Sequence, residues 1–151
     1  MEAHAIAAAG AGFLVAVLWF DLMFDVQIRG QAGAAPPSVL ASIAAYHRRV
    51  TTQASPMSRL IPAVMAATVI AIGVEIARSP QPAWTGWTSL ALAVSAIGLA
   101  LARTVRNAVR LGREADAAET QTHLARQVYR DHLFCFAAMT AVVGLQLAAR
   151  A

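Results

Sequence analysis

The sequence predicts an all-α fold: a bundle of four transmembrane helices with an amphipathic helix in the first cytoplasmic loop, forming a single membrane domain over residues 1–151. Three observations predict it. The chain is 58% hydrophobic and only 13% charged, with a mean hydropathy of +0.57, and a soluble domain of this size needs far more charge on its surface. The apolar residues gather in four long runs. Ten of the twelve arginines fall in the two long connections between those runs.

The first run, about residues 5–24, is long enough to cross a ~30 Å hydrocarbon core at 1.5 Å per residue. Its flank Met1-Glu2-Ala3-His4 lacks the positive charge of a cleaved signal peptide, so it reads as a spanning helix. The second run covers about 60–77, with Pro62 expected in its first turn, where a missing N–H is tolerated. The third covers about 84–102 and the fourth about 132–149. Between the second and third, Arg78-Ser79-Pro80-Gln81-Pro82 allows only a tight reversal, which makes these helices antiparallel neighbours. Trp84 and Trp87 open the third helix at that end, as interfacial indoles do.

Loop one carries Arg29, Arg48, Arg49 and Arg59; loop three carries Arg103, Arg106, Arg110, Arg113, Arg126 and Arg130. The positive-inside rule puts both loops in the cytoplasm and both termini in the periplasm, as expected of a multi-pass inner-membrane protein. The net charge of +4 then marks loops beside an anionic leaflet, with membrane lipids as partners and no nucleic acid. Within loop one, Ser38 to Val50 places Val39, Ile43, Tyr46 and Val50 on one helical stripe, an interfacial amphipathic helix with Ile43 and Tyr46 inward. In loop three the third helix continues to Gly112, and Asp116 with Glu119 resembles a capping box opening a long final helix. Gly10, Gly12, Gly73, Gly98 and Gly144 permit close helix approach, and Ala8 with Gly12 has a small-xxx-small spacing.

The chemistry-bearing residues cluster at one end. Asp21 and Asp25 are four apart at the cytoplasmic end of helix one and share a face; carboxylates there should turn to the bundle rather than lipid. Alternating helix directions bring to the same end Arg59, Arg103, Arg106, Asn107, Tyr129, Asp131 and His132. Asp21, Asp25, Arg59, Arg103, Arg106, Asn107 and His132 therefore form a candidate polar pocket for a small apolar or lipid-like ligand, with His132 able to move a proton. The same residues also read as interfacial charges that pair and snorkel. Asp21 is expected to be the more buried aspartate, with Arg103 as its first partner.

Elsewhere, Glu75 and Arg78 share a face near the outer end of helix two and are expected to pair, with Gln146 at similar depth. His132, Cys135 and Met139 form one stripe of helix four. That stripe reads as core packing rather than a copper site. His4 and His132 belong to opposite ends of the bundle and His47 and His123 to loops, so no haem is expected. The sequence points to no metal and no cofactor, and it lacks a nucleophile elbow, a phosphate-binding loop, a zinc-protease motif and a dinucleotide fingerprint.

Two stretches carry a family resemblance: the long first loop leading through Ser55-Pro56-Met57-Ser58-Arg59-Leu60-Ile61-Pro62 into helix two, and the polar Tyr129-Arg130-Asp131-His132 entry to helix four. With the four-span layout, the chain resembles the anthrone-oxygenase-like family of small bacterial membrane proteins, in which the last entry usually reads Asn-His; here Asp131 precedes the histidine. The resemblance implies cofactor-free oxygenation of a flat, apolar, acidic phenol-like substrate entering from the membrane. An accessory or scaffold subunit, as a homo-oligomer or within a larger membrane complex, also fits the small size and packing glycines.

Overall fold

The computed structural model describes residues 2–53, 55–78 and 83–149. Among them there is no strand. The chain order is α1 (Glu2–Asp25), a 3-10 turn (Val26–Ile28), α2 (Pro37–Arg48), a π-helical turn (Arg49–Gln53), α3 (Ser55–Arg78), α4 (Ala83–Leu99), a second π-helical turn (Ala100–Thr104), α5 (Val105–Gly112) and α6 (Ala118–Ala148). Four rods, Ala3–Ile28, Pro56–Arg78, Trp84–Gly112 and Ala118–Ala148, are long and apolar enough to cross a membrane. The expected reversal at Ser79–Pro82 lies outside the described residues.

Every rod is longer than its apolar run. Helix α3 starts at Ser55, so Pro62 lies inside the helix instead of in its first turn. The third rod continues through the π-helical turn to Gly112, as the sequence suggests. The capping box does not form: the residue before α6 is Ala117, with no side-chain cap, because the Asp116 carboxylate accepts two hydrogen bonds from the Arg110 guanidinium at 2.8 and 2.7 Å. That arginine holds the Asp116 carboxyl below its ordinary range.

Helices α1, α3, α4 and α6 form a closed ring, each packed on two others in the order α1–α3–α4–α6. Chain direction alternates at each step, so every neighbouring pair is antiparallel. Inside the ring, Ala7, Ala11, Leu14, Ile72, Ala93, Met139 and Val142 build an apolar core. Outward, Ile6, Trp19, Phe20, Ile70, Trp84, Leu101 and Leu147 remain exposed, a belt that lipid accepts and water does not. Of the five interhelical glycines, Gly10 makes a close approach: a Cβ there would meet Thr68 Oγ1 at 2.2 Å, whereas one at Gly12, Gly73, Gly98 or Gly144 would meet nothing within 4 Å. The Ala8–Gly12 spacing is therefore not a packing seam at Gly12.

Loop one is a lid on the ring. Helix α2 packs against α5, α6 and α1, over a second apolar cluster that includes Ile28, Leu40, Ile43, Leu111 and Leu124. Its buried stripe is Leu40, Ile43, Ala44 and His47, rotated about one position from the expected Val39, Ile43, Tyr46 and Val50. The segment before it is fastened to α6 by the Arg126 guanidinium, which donates to the Gln31 and Gly33 carbonyls at 2.6 and 2.7 Å, and by Ala35 N–H donating to Thr122 Oγ1 at 2.9 Å.

Candidate functional site

Between the two apolar clusters, where α1 ends and α2 crosses, lies a buried polar group. Asp25 is fully buried. Its Oδ1 is 2.7 Å from His47 Nε2 and its Oδ2 is 2.6 Å from His132 Nδ1, so one carboxylate holds two imidazoles from two other helices. Their ring centres are 5.8 Å apart. Asp21, one turn back along α1, has Oδ2 at 3.8 Å from His132 Nε2 and accepts a 2.8 Å hydrogen bond from the Tyr46 hydroxyl. Burial first, and then the Asp21 charge, push the Tyr46 phenol far above its ordinary value, which keeps it a donor. Phe24 stacks on the Tyr46 ring at 4.1 Å between centres, fixing its direction.

The seven residues expected to form one pocket divide. Asp21, Asp25 and His132 do come together, but Asp25 is the more buried aspartate, at 0% exposure against 8% for Asp21. Asp25 ends α1 beneath α2, so the lid buries it, whereas spanning length alone places Asp21 deeper. Arg103 does not reach Asp21. Its guanidinium holds Asp131 through Nε at 3.0 Å and through Nη2, and Thr104 Oγ1 donates to the same carboxylate at 3.0 Å. The cause is topological: α1 and the α4–α5 rod are diagonal across the ring with no close backbone approach, whereas α6 packs along that rod. Arg59 and Arg106 are exposed, and the Arg106 guanidinium donates to the Ala102 carbonyl of its own helix turn. Asn107 donates to Gln127 Oε1 at 3.0 Å, a strut between α5 and α6.

His47 was assigned to a loop and is instead a wall of the site. One signal could have found it: His47 is four residues after Ile43 and seven after Leu40, a histidine on the apolar stripe of an amphipathic helix. At the opposite end, Glu75 Oε1 meets His4 Nδ1 at 3.3 Å rather than pairing with Arg78, which is exposed. Gln146, expected at similar depth, is buried and donates to Ser89 Oγ at 3.4 Å.

An apolar cavity of about 120 Å³ adjoins the polar group. Its walls include Leu14, Leu18, Met65, Ile97 and Met139, and its polar boundary is Asp21, His47 and His132, with Thr51 and Thr104 from the two π-helical turns. Cys135 also faces it, so the stripe His132, Cys135, Met139 lines a space as well as packing in the core. The arrangement can hold a small apolar body with one polar end against two imidazoles. Comparison of the chain with protein-family models, with curated proteins and with solved structures gives no match. Fold and site thus define the class: an all-α bundle with four helices able to cross a membrane and a lidded polar site at one end. The function has to be argued from that site.

Proposed function

We propose that this chain is a multi-pass inner-membrane protein, with its arginine-rich loops in the cytoplasm and its termini in the periplasm, that binds a small amphiphile in the bundle. The apolar body occupies the cavity and the polar end meets His47, His132 and Asp21. One observation carries this reading: an apolar space that ends on buried, pre-oriented polar side chains, the usual form of a small-molecule site. Arginine partition supports the orientation. A phosphatase fused after Ala151 is expected to be active and one inserted at Gly112 inactive; the reverse pattern overturns the orientation.

Size narrows the ligand. A cavity of ~150 Å³ in a protein core takes one benzene, so about 120 Å³ suits a single ring or a short acyl end. The oxygenation implied by the family resemblance is a second reading, favoured by His132 standing at the cavity boundary with Asp25 behind it. The same volume favours a one-ring phenol over a fused polycycle. The test is p-fluorophenol against p-fluorotoluene, followed by fluorine NMR with the purified protein in detergent. A hydroxyl meeting a charged or charge-backed partner contributes about 1.5 kcal/mol, so the phenol is expected to bind roughly 10-fold more tightly. Ala96→Leu, which fills the cavity from one wall, should remove binding of both. Equal affinity for the two probes, or no effect of Ala96→Leu, overturns the site.

A further inference from the structure

Asp21 and Asp25 are two buried carboxylates side by side, yet among the described residues neither has a guanidinium partner. Every ion pair they make is to a histidine, and Arg103 is occupied by Asp131. Two negative groups withdrawn from water call for positive charge at the same place. Three donors already converge there: Asp25 Oδ, His47 Nε2 and His132 Nδ1, all buried and all within 4.8 Å of one another. We propose that Asp25, His47 and His132 bind one divalent first-row transition-metal ion, of the class of Zn²⁺, Fe²⁺ or Co²⁺.

The donor set selects that class. Two imidazole nitrogens with one carboxylate suit zinc and ferrous iron, whereas calcium and magnesium take oxygen ligands throughout. Ions of this kind sit 2.0–2.2 Å from such donors, which places the donors roughly 3–3.5 Å from one another. Relative to the 2.6 and 2.7 Å separations from Asp25, the carboxylate and the two rings need to part by less than about 1 Å, and the donor atoms of the two rings, within 4.8 Å of one another, need to settle at that same spacing about one point.

The second ring nitrogen of His132 supports the same assignment. With Nδ1 on the metal, the remaining proton lies on Nε2, facing Asp21 Oδ2 at 3.8 Å, and Asp21 is itself held by the Tyr46 hydroxyl. A carboxylate hydrogen-bonded behind a ligating imidazole is the common support for such a ligand, and Asp21 needs to approach by roughly 1 Å to make that bond. Three protein ligands leave a coordination position open, and two of the three, His47 and His132, border the cavity. The metal assignment shares this site but rests on the three converging donors and on two buried carboxylates with no guanidinium partner among the described residues, and it holds whether or not the amphiphile does.

The test uses the full chain in detergent, freed of any affinity tag, stripped with a chelator and titrated with Co²⁺. One Co²⁺ per chain is expected, with visible ligand-field absorption that Zn²⁺ displaces. His47→Gln should weaken binding at least ~10-fold, in the range seen when metal-site residues are altered. Because His47 belongs to the lid and not to a spanning rod, this variant keeps the bundle, which circular dichroism checks. Asp25→Asn should also weaken binding, whereas exposed His123→Gln should leave it unchanged. Ala96→Leu should retain the ion and lose p-fluorophenol. Absence of stoichiometric Co²⁺, or binding that His47→Gln and Asp25→Asn both leave intact, overturns the proposal. Phenol binding without metal binding overturns it alone and leaves the amphiphile reading standing; metal without phenol does the opposite.

Discussion

Asp25 is the side chain whose loss should cost most, and in metal-free protein the magnitude follows from its two contacts. Asp25→Ala removes the acceptor from His47 Nε2 and from His132 Nδ1 together. Both rings are buried, at 2% and 8% exposure. A buried donor left without a partner costs about 1–3 kcal/mol, so two give roughly 2–6 kcal/mol. Asp21→Ala strands the hydroxyl of half-buried Tyr46, about 1 kcal/mol, and removes a carboxylate whose own burial was unfavourable. Asp25→Asn should fall between, because an imidazole can switch tautomer to accept from the new amide. In a domain of this length 1 kcal/mol moves the melting midpoint by about 2–4 °C. Thermal unfolding in one detergent, with chelator present, should therefore show a drop of roughly 5–20 °C for Asp25→Ala against a few degrees for Asp21→Ala. If Asp21→Ala is equal or worse, Asp25 is not the hub of the site.

Two glycines give further expectations. At Gly112 a Cβ would lie 3.0–3.2 Å from Arg48 N, Cα and Cβ, one residue from His47, so Gly112→Val should push the end of α2 outward, measured as at least ~10-fold weaker Co²⁺ binding with little change in helix content; unchanged affinity would show that the lid position does not set the site. At Gly10 an added Cβ collides with Thr68 Oγ1 at 2.2 Å but lies 3.4 Å from Thr68 Cβ. Gly10→Ala should destabilise the α1–α3 contact by about 1–3 kcal/mol, and Thr68→Ala should restore most of it in the double variant. Additive losses in that cycle would place the damage elsewhere.

The spanning helices were legible because bilayer crossing imposes length and composition together, and apolar runs of about 20 residues have no other common explanation. Their ends were less so. Helix α6 begins at Ala118, beside the Asp116–Glu119 pattern that marks a long final helix, but 14 residues before the apolar run: its first half packs residues such as Leu124 against α2 and α5, and burial by a neighbouring loop leaves no run in the sequence. Asp21, Asp25 and His132 were readable as costly groups near helix ends. Their partners were not, because helix order around the ring decides whether α1 faces α4 or α6. Once α1 lies beside α6 and diagonal to α4, Asp25 meets His132 and Arg103 is left to Asp131. His47 was hidden for a related reason: an amphipathic helix beside a membrane and one folded over a bundle share a pattern, and its imidazole reads as the polar edge of the first but is the buried face of the second.

The two π-helical turns explain how an otherwise regular bundle opens a space at this level. An inserted residue advances everything after it by one position, about 100° around the axis. At Thr68, inside α3, the hydroxyl donates to the carbonyl four residues back, the normal reach in an α-helix, and Thr51 and Thr52 keep that reach within the first π-helical turn. At Thr104 the hydroxyl donates to Asp131 at 3.0 Å, and the backbone carbonyl nearest its oxygen is that of Leu99, five residues back, at 3.4 Å. The extra residue thus turns Thr104 inward toward α6 and leaves Arg103 able to bend onto the same carboxylate from outside. Asp131 is fixed as a result, and with it the first turn of the stripe that carries His132 and Cys135. The turn at Arg49–Gln53 acts from the other side, where Val50 and Thr51, three and four residues after His47, border the cavity. Such turns cost regular hydrogen bonds and occur often at functional sites. Here both border one cavity and adjoin the two histidines, so the local departures from ideal helix geometry and the buried chemistry coincide.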